Sequence, residues 1–399
     1  MAGGAAHVGS YSPLTGFVFI FNLIVGAGAL TIPHAFAQVG LLYGALTLSL
    51  LALSSYVTAT FMIEAIAGVN ALKKKTRELE APASGPSKRL DDDHEDENPT
   101  TEFMPLMVPT HDDNKLEKLR NRGPEVAFDF DLSKKMELAQ MAHMLFNHQG
   151  IIAFYTCVVV YLYGDLAIYA VGTSRMRLPS IPGLVAPITD KTKVGRVIAV
   201  AFVAVLGVYL VLSCTATFRF QPDDIDDVYT LNFKQYPIRV VAYFLSLFPV
   251  CTLSANFPVI CITLRENLRT LAHNIGSNEE YDQTAAAHDD DMPGVRAFFV
   301  RNLYALVALV PPLVVAFFTE DVSMLVGFTG AYAGLGIQWV VPASLVFCLR
   351  ARLAWERAQL KAPLVENPFA SPFAHAGWLY LTFALSVAAI VLITVLHVA

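Results

Sequence analysis

Charge is scarce in this 399-residue chain: Lys, Arg, Asp and Glu make up 16% of it, against about 25% in an ordinary soluble domain. The 28 basic and 34 acidic residues leave a formal charge of −6, which excludes the basic face of a nucleic-acid binder. Cysteine is sparse too. Cys157, Cys214, Cys251, Cys261 and Cys348 all fall inside apolar runs, so there is neither a secreted disulfide framework nor zinc-ligand spacing. Also absent are a nucleotide-binding glycine loop, an HExxH pair, a Gly-x-Ser-x-Gly elbow and a histidine cluster. An enzyme is therefore not expected, nor a bound cofactor. The first apolar run has no basic flank before it and is too long for the core of a signal peptide, so no cleavable leader is expected.

What the chain has is apolar length. Hydrophobic residues make up 55% and mean hydropathy is +0.49. A transmembrane helix needs roughly 20 apolar residues. Eight segments reach or approach that length: Leu14–Ala37, Val39–Ile63, Ile151–Val171, Ile198–Thr217, Val240–Leu264, Asn302–Phe318, Val322–Leu349 and Ala376–Leu396. Asp165 is the one Asp, Glu, Lys or Arg inside them. The expected fold is an all-α polytopic membrane protein with about eight transmembrane helices embedded in a lipid bilayer, every backbone group satisfied within its own helix.

The loops sort by charge. Lys73, Lys74, Lys75 and Arg77 follow the second run, Arg265 and Arg269 the fifth, and Arg350, Arg352, Arg357 and Lys361 the seventh. The positive-inside rule makes these loops and the N-terminus cytoplasmic. Acidic residues follow the fourth run (Asp223, Asp224, Asp226, Asp227) and the sixth (Glu320, Asp321), which places the C-terminus on the opposite face. That arrangement needs an odd number of spans, and eight are counted. The conflict is local. Residues 68–150 and 172–196 are both basic-side by charge, yet only one span separates them, and Gly172–Ile188 is too short and proline-rich to add another.

Residues 78–133 carry Asp91-Asp92-Asp93 and Glu95-Asp96-Glu97 among Pro, Ser and Lys, a composition that reads as disordered and lacks the glycine and glutamate spacing of a calcium loop. Ser133–Gln149 places Met136, Leu138, Met141, Leu145 and Phe146 roughly on one face, predicting an interfacial helix.

The first run carries the densest signals. Gly26 and Gly28 each lower helix stability by about 1 kcal/mol relative to Ala, and Pro33 cannot donate to the carbonyl of Ala29. A break there leaves backbone groups unpaired at mid-membrane depth, tolerable only where they line a cavity or meet a ligand. The amides of Gly26, Ala27, Gly28 and Ala29, with Thr31, would then hold a substrate carboxylate at a half-helix N-terminus. The same glycines also fit a close-packing helix face. Asn22, one turn earlier, suits either a cation or an interhelical hydrogen bond. In the fifth run Thr252 and Asn256 share a face and Pro258 frees the carbonyl of Ser254, which fits a sodium site or a kinked helix held by polar contacts. Asp165, ending Tyr161-Leu162-Tyr163-Gly164-Asp165, is a candidate ion-path or proton-relay carboxylate. Leu162 replaces the first glycine of the Gly-x-Gly-Asp signature of intramembrane aspartyl proteases. Gly330 and Gly334 form a GxxxG pair that points to close packing, and Glu64 reads as interfacial.

Asn22-x-x-x-Gly26-x-Gly28 followed by Pro33 resembles the first helix of the amino acid/auxin permease superfamily. The strings FNLIVGAGALTIPHAFA (21–37), VVYLYGDLAIYA (159–170), DVYTLNF (227–233), LFPVCTLSANFPVICITLR (247–265) and LVGFTGAYAGLGIQWVVPA (325–343) resemble its transmembrane protein 104 branch. The resemblance implies a leucine-transporter-like bundle of eleven spans in two inverted five-helix repeats, with substrate held where helices one and six are broken. It further implies an amino acid-like solute, Na+ or H+ as the coupling ion, and a cation site from Asn22, Thr252, Ser254 and Asn256. The chain departs from the family after Ala170. Gly172-Thr173-Ser174-Arg175 runs on to Leu178-Pro179-Ser180, a stretch that resembles the end of family helix six. Three family spans are thus absent from the expected inverted-repeat bundle, and three is the odd number that the charge pattern requires.

The expected division is therefore residues 1–67 with spans one and two, 68–133 as a disordered cytoplasmic loop, 134–171 as amphipathic helix and third span, 172–197 as the junction, and 198–399 as the spans corresponding to family helices seven to eleven. Plasma-membrane and endolysosomal locations look alike at this level, and protein partners are not legible.

Overall fold

Long apolar stretches in lipid can satisfy their amides only by coiling, and the computed structural model is helical throughout its membrane-length segments. It describes residues 12–25, 32–80, 128–132, 134, 136–172, 194–221, 224–225, 229–233, 236–245, 257–276, 295–319, 322–360 and 367–398. No strand occurs among them. Among the described residues, five helices are long and apolar enough to cross a membrane by length and composition, over Leu41–Thr76, His148–Ile168, Val194–Arg219, Gly327–Ala358 and Ala376–Val395, and Asn302–Val315 is a shorter apolar helix. The molecule is an all-α polytopic membrane protein.

Helix α1 (Pro13–Val25) opens on Pro13, whose missing N–H costs nothing at a first helical position. The Ser12 hydroxyl caps it by accepting the Thr15 N–H at 3.2 Å. Helix α2 (Ile32–Val39) ends at Gly40, whose φ of 87° turns the chain while its N–H donates to the Phe36 carbonyl. Both helices pack on α6 (Val194–Arg219). Residues 26–31 between them lie outside the described residues.

Helix α3 (Leu41–Glu80) is much longer than the Val39–Ile63 run that predicted it. Burial changes along it rather than around it. Leu42, Tyr43, Leu46, Leu50, Leu51 and Leu53 are exposed, as lipid-facing residues are, whereas Val57 through Leu72 are buried by protein. The loop expected from residue 68 therefore begins later, because Ala65, Ala67, Val69 and Leu72 still pack into the core. It also ends earlier. Phe128, Phe130 and Leu132 are buried in that same core, and residues 81–127 lie outside the described residues. The helix expected over 133–149 is shorter, α4 (Leu138–Leu145), with Met141 through Leu145 buried against protein instead of lying in an interface.

Helix α5 (His148–Gly172) packs on α7 (Phe257–Gly276) and α8 (Val295–Phe318). Of the fifth apolar run only the ends are described, 240–245 and the start of α7; residues 246–256 lie outside. The seventh run is one continuous helical rod. It comprises α9 (Val322–Thr329), two π turns at Gly330–Gly334 and Gly336–Val340, and α10 (Val341–Leu360). Helix α11 (Ala376–Val398) closes the chain.

Residue pairings fix relative direction. Ser55 meets Gln338, Glu64 meets Arg350 and Lys75 meets Glu356, so α3 and the 322–360 rod run parallel. On α5, Cys157 faces Gly336, Tyr161 faces Gly334 and Gly164 faces Thr329, so α5 and the rod run antiparallel. Strict alternation through eight spans would give the reverse in both cases. An even number of crossings therefore separates α5 from the rod, and the three apolar runs between them cannot all cross in alternation. Helix packing thus meets the same parity conflict that the loop charges show.

Two tests follow from this packing. A side chain at Gly164 would occupy the space of the buried, β-branched Thr329, whereas one at Gly207 meets nothing within 4 Å. Overpacking costs about 1–3 kcal/mol, so Gly164→Val should lower the thermal unfolding midpoint in detergent by several degrees and Gly207→Val should leave it unchanged. His143, buried on α4 and 2.9 Å from the Tyr155 hydroxyl, has its imidazole pushed below the usual 6.5 by burial. The unfolded chain takes that proton below pH 6.5 and the folded chain resists it, so stability should fall as pH drops through that value. In detergent unfolding series between pH 7.5 and 5.5, His143→Gln should flatten this dependence.

Candidate functional site

Of the residues proposed from the sequence to hold substrate, cation or proton, Asp165 is the one whose side chain is described. Asn22 lies on α1, with only its backbone described. Gly26, Ala27, Gly28, Ala29, Thr31, Thr252, Ser254 and Asn256 lie outside the described residues, so their mutual placement is not drawn.

Asp165 sits on α5 with 6% of its surface exposed. Tyr161, one turn earlier on the same face, hydrogen-bonds to it, and no basic side chain pairs with it among the described residues. The environment is apolar, with Leu166 and Val159 of α5 packed on Leu264 and Ala308. The Tyr163 hydroxyl donates to the Val307 carbonyl at 2.6 Å and holds α8 against the helix.

The rod facing this stretch is where its backbone departs from α geometry. π turns hold one residue more than α turns and recur at functional positions. Their position here follows from the sequence, since Gly330, Gly334 and Gly336 present no side chain to resist the wider coil. The GxxxG pair is not where the helices come closest. Gly330 has nothing within 4 Å, and the tight approaches are Gly164 to Thr329 and Gly336 to Cys157. The indole N–H of the buried Trp339 has no partner among the described residues, while Gln338 donates to the Ser55 hydroxyl at 2.5 Å.

A second polar assembly went unread in the sequence. Arg350 grips Glu64 with two parallel hydrogen bonds of 2.7 and 2.8 Å. The Ser371 amide donates to the same carboxylate at 2.9 Å, Arg350 donates to the Ala374 carbonyl at 2.9 Å, and the Thr60 and Ser371 hydroxyls lie 2.8 Å apart. Farther along the same two helices, Lys75 meets Glu356, which also accepts from Arg352. The expectation of an interfacial Glu64 is corrected: its side chain is 7% exposed, because the approach to α11 folds over it. The available signal was position. Glu64 and Arg350 each stand one residue past the end of an apolar run on the basic side.

The sequence that folds this way is similar to a known group of proteins. A model of transmembrane amino acid transporter proteins matches residues 9–79, which cover α1, α2 and nearly all of α3. Transmembrane protein 104 from Gallus gallus and from Homo sapiens are each 31% identical, with 95% of both chains covered, and the Drosophila melanogaster homologue is 28% identical over 99% of both. The chain belongs to the transmembrane protein 104 family. The comparison with the Gallus gallus family member extends over 506 positions, although this chain has 399 residues. More than a hundred of those positions therefore have no counterpart here. No solved structure matches the chain.

Removing one partner of a buried ion pair leaves an uncompensated charge and costs about 3–5 kcal/mol. Arg350→Leu should therefore be strongly destabilising in detergent denaturation series, near the lower end because Arg350 is a quarter exposed. Glu64→Leu combined with Arg350→Leu should cost less than Arg350→Leu alone. Equal losses would show that the cost lies in losing the pair's own contacts and not in the uncompensated charge.

Proposed function

We propose that the chain is a secondary active carrier of amino acids or related small solutes, coupled to a cation or a proton and working by alternating access. The observation that carries this reading is the match of residues 9–79 to transmembrane amino acid transporter proteins, since that stretch contains the glycine-rich interval between α1 and α2. In this reading the amides of Gly26 to Ala29, with Thr31, receive the substrate carboxylate. Asn22, Thr252, Ser254 and Asn256 hold Na+, or Asp165 carries H+. A buried carboxylate with a tyrosine partner and, among the described residues, no basic one is a composition that ion and proton paths use. The N-terminus and the Lys73–Lys75 end are cytoplasmic by the charge rule. The Glu64–Arg350 assembly then closes the cytoplasmic end of the bundle.

A second reading has its own support. Over a hundred positions of the relatives have no counterpart in this chain, enough for three spans with their loops. If they fall at residues 172–197 as the charges indicate, half of the expected substrate site goes with them. The chain would then be a membrane scaffold or sensor without transport, or an inactive truncated isoform.

Uptake by proteoliposomes containing the purified chain, across an amino acid panel with imposed Na+ or H+ gradients, separates the two. A carrier should accumulate at least one solute above empty liposomes. Gly26→Leu should reduce that uptake tenfold or more without changing the protein's detergent elution profile, and Asp165→Asn should remove any proton dependence. Absence of uptake by this chain, beside uptake by the longer Gallus gallus relative, supports the second reading.

A further inference from the structure

The 322–360 rod changes partner along its length. Thr329 lies against Gly164, Gly334 against Tyr161 and Gly336 against Cys157, all on α5. From Gln338 onward the partners belong to α3: Ser55 for Gln338, Gly68 for Leu349, Glu64 for Arg350 and Lys75 for Glu356. The exchange falls between Gly336 and Gln338, inside the second π turn, and the first π turn ends just before it at Gly334. A π turn is one of the few places where a helix bends sharply. Gly327 and Gly330, shortly before the exchange, have nothing within 4 Å among the described residues, so the rod has free space beside it there.

The helices joined by this rod form two sets. Beyond its first turns α5 packs with α7 and α8 around Val159, Leu166, Leu264 and Ala308. Helices α1, α2 and α3 pack on α6 instead. The sets are fused at one end. Ile151, Phe154 and Tyr155, at the start of α5, enter the core that holds Ile66, Ile198 and Leu349, and Leu271 of α7 borders both cores. That fused end is also where Glu64 grips Arg350 and Lys75 meets Glu356.

We propose that the π segment Gly330–Val340 is a hinge. On it α9, with α5, α7 and α8, swings against α1, α2, α3 and α6. The molecule then opens at the end away from Lys73–Lys75 and stays closed at the other. Hinges concentrate a large change in a few residues while the flanking elements keep their shape. The close fit of Gly164 to Thr329 carries α9 along with α5, and the Glu64–Arg350 pair holds α10 to α3 as the fixed side. The hinge does not depend on the transport reading. In a carrier it opens the face that bears the acidic loops after α6 and α8.

Double electron–electron resonance on the full chain in detergent tests this, with the five native cysteines replaced by alanine or serine and nitroxides on introduced cysteines. Phe218→Cys with Phe317→Cys probes the far ends of α6 and α8, where these side chains are 80% and 84% exposed. Gln149→Cys with Arg196→Cys probes the starts of α5 and α6, also exposed. The expected result is two distances about 5 Å or more apart for the far pair and one narrow distance for the near pair. Gly330→Ala with Gly334→Ala makes the segment a better α-helix former and meets no close contact. It should merge the two far-pair distances into one and leave the near pair unmoved. Should the double variant fail to fold, Gly330→Ala alone decides, by changing the ratio of the two far-pair populations threefold or more. The hinge is overturned if the far pair gives a single distance as narrow as the near pair, if both pairs broaden alike, or if the glycine substitutions leave the far-pair distances unchanged.

Discussion

A carboxylate cannot be left alone where α3 passes from lipid into protein, and the pairing of Glu64 with Arg350 is the constraint around which the basic end of the bundle is arranged. The bidentate geometry fixes both the distance and the rotation of α10 against α3. With that register set, Gly68 lies against Leu349 and the buried run from Val57 to Leu72 meets Leu345 and Leu349. Ser371 and Ala374 reach the same two side chains, so the entry to α11 is tied to the pair as well. Buried ion pairs add little net stability by themselves. What this one provides is a single allowed alignment.

That alignment makes the direction of the helices a matter of physical record rather than of counting. Parallel travel of α3 and the 322–360 rod, and antiparallel travel of α5, are each fixed by three contacts along the helix. Loop charges and side-chain contacts are independent in origin, one arising at membrane insertion and the other in packing. Both require an even number of passages between α5 and the rod. The longer family members carry more than a hundred positions that have no counterpart in this chain.

Much of the architecture was legible because lipid imposes a length rule that composition alone can satisfy. The apolar runs that predicted α5, α6 and α11 lie inside the observed helices. The runs that predicted α3 and the rod were underestimated, because a helix that leaves the bilayer and enters protein can carry Glu64, Asn70 or Arg350 once each finds a partner, and partners are invisible to a hydropathy window. The acidic 78–133 stretch hid Phe128, Phe130 and Leu132 for a related reason: three alternating apolar residues are too few to outweigh their charged neighbours. Asp165 was legible as a lone intramembrane carboxylate. The exchange of partners along the rod was not, since it is set by contacts with two helices remote from it in sequence.

The π turns of the rod have a bearing on how this chain tolerates change in length. Each turn stores one residue beyond the α repeat, and the rod downstream is phased accordingly. Deleting a single residue between Gly330 and Val340 would swing everything after it by about 100° about the axis. Arg350 would then point away from Glu64, and the seam with α3 would present the wrong stripe. The surplus residues thus act as a phase setting between two neighbours, holding α9 in step with α5 and α10 in step with α3, on a single rod that a uniform α repeat would leave out of step with one of them.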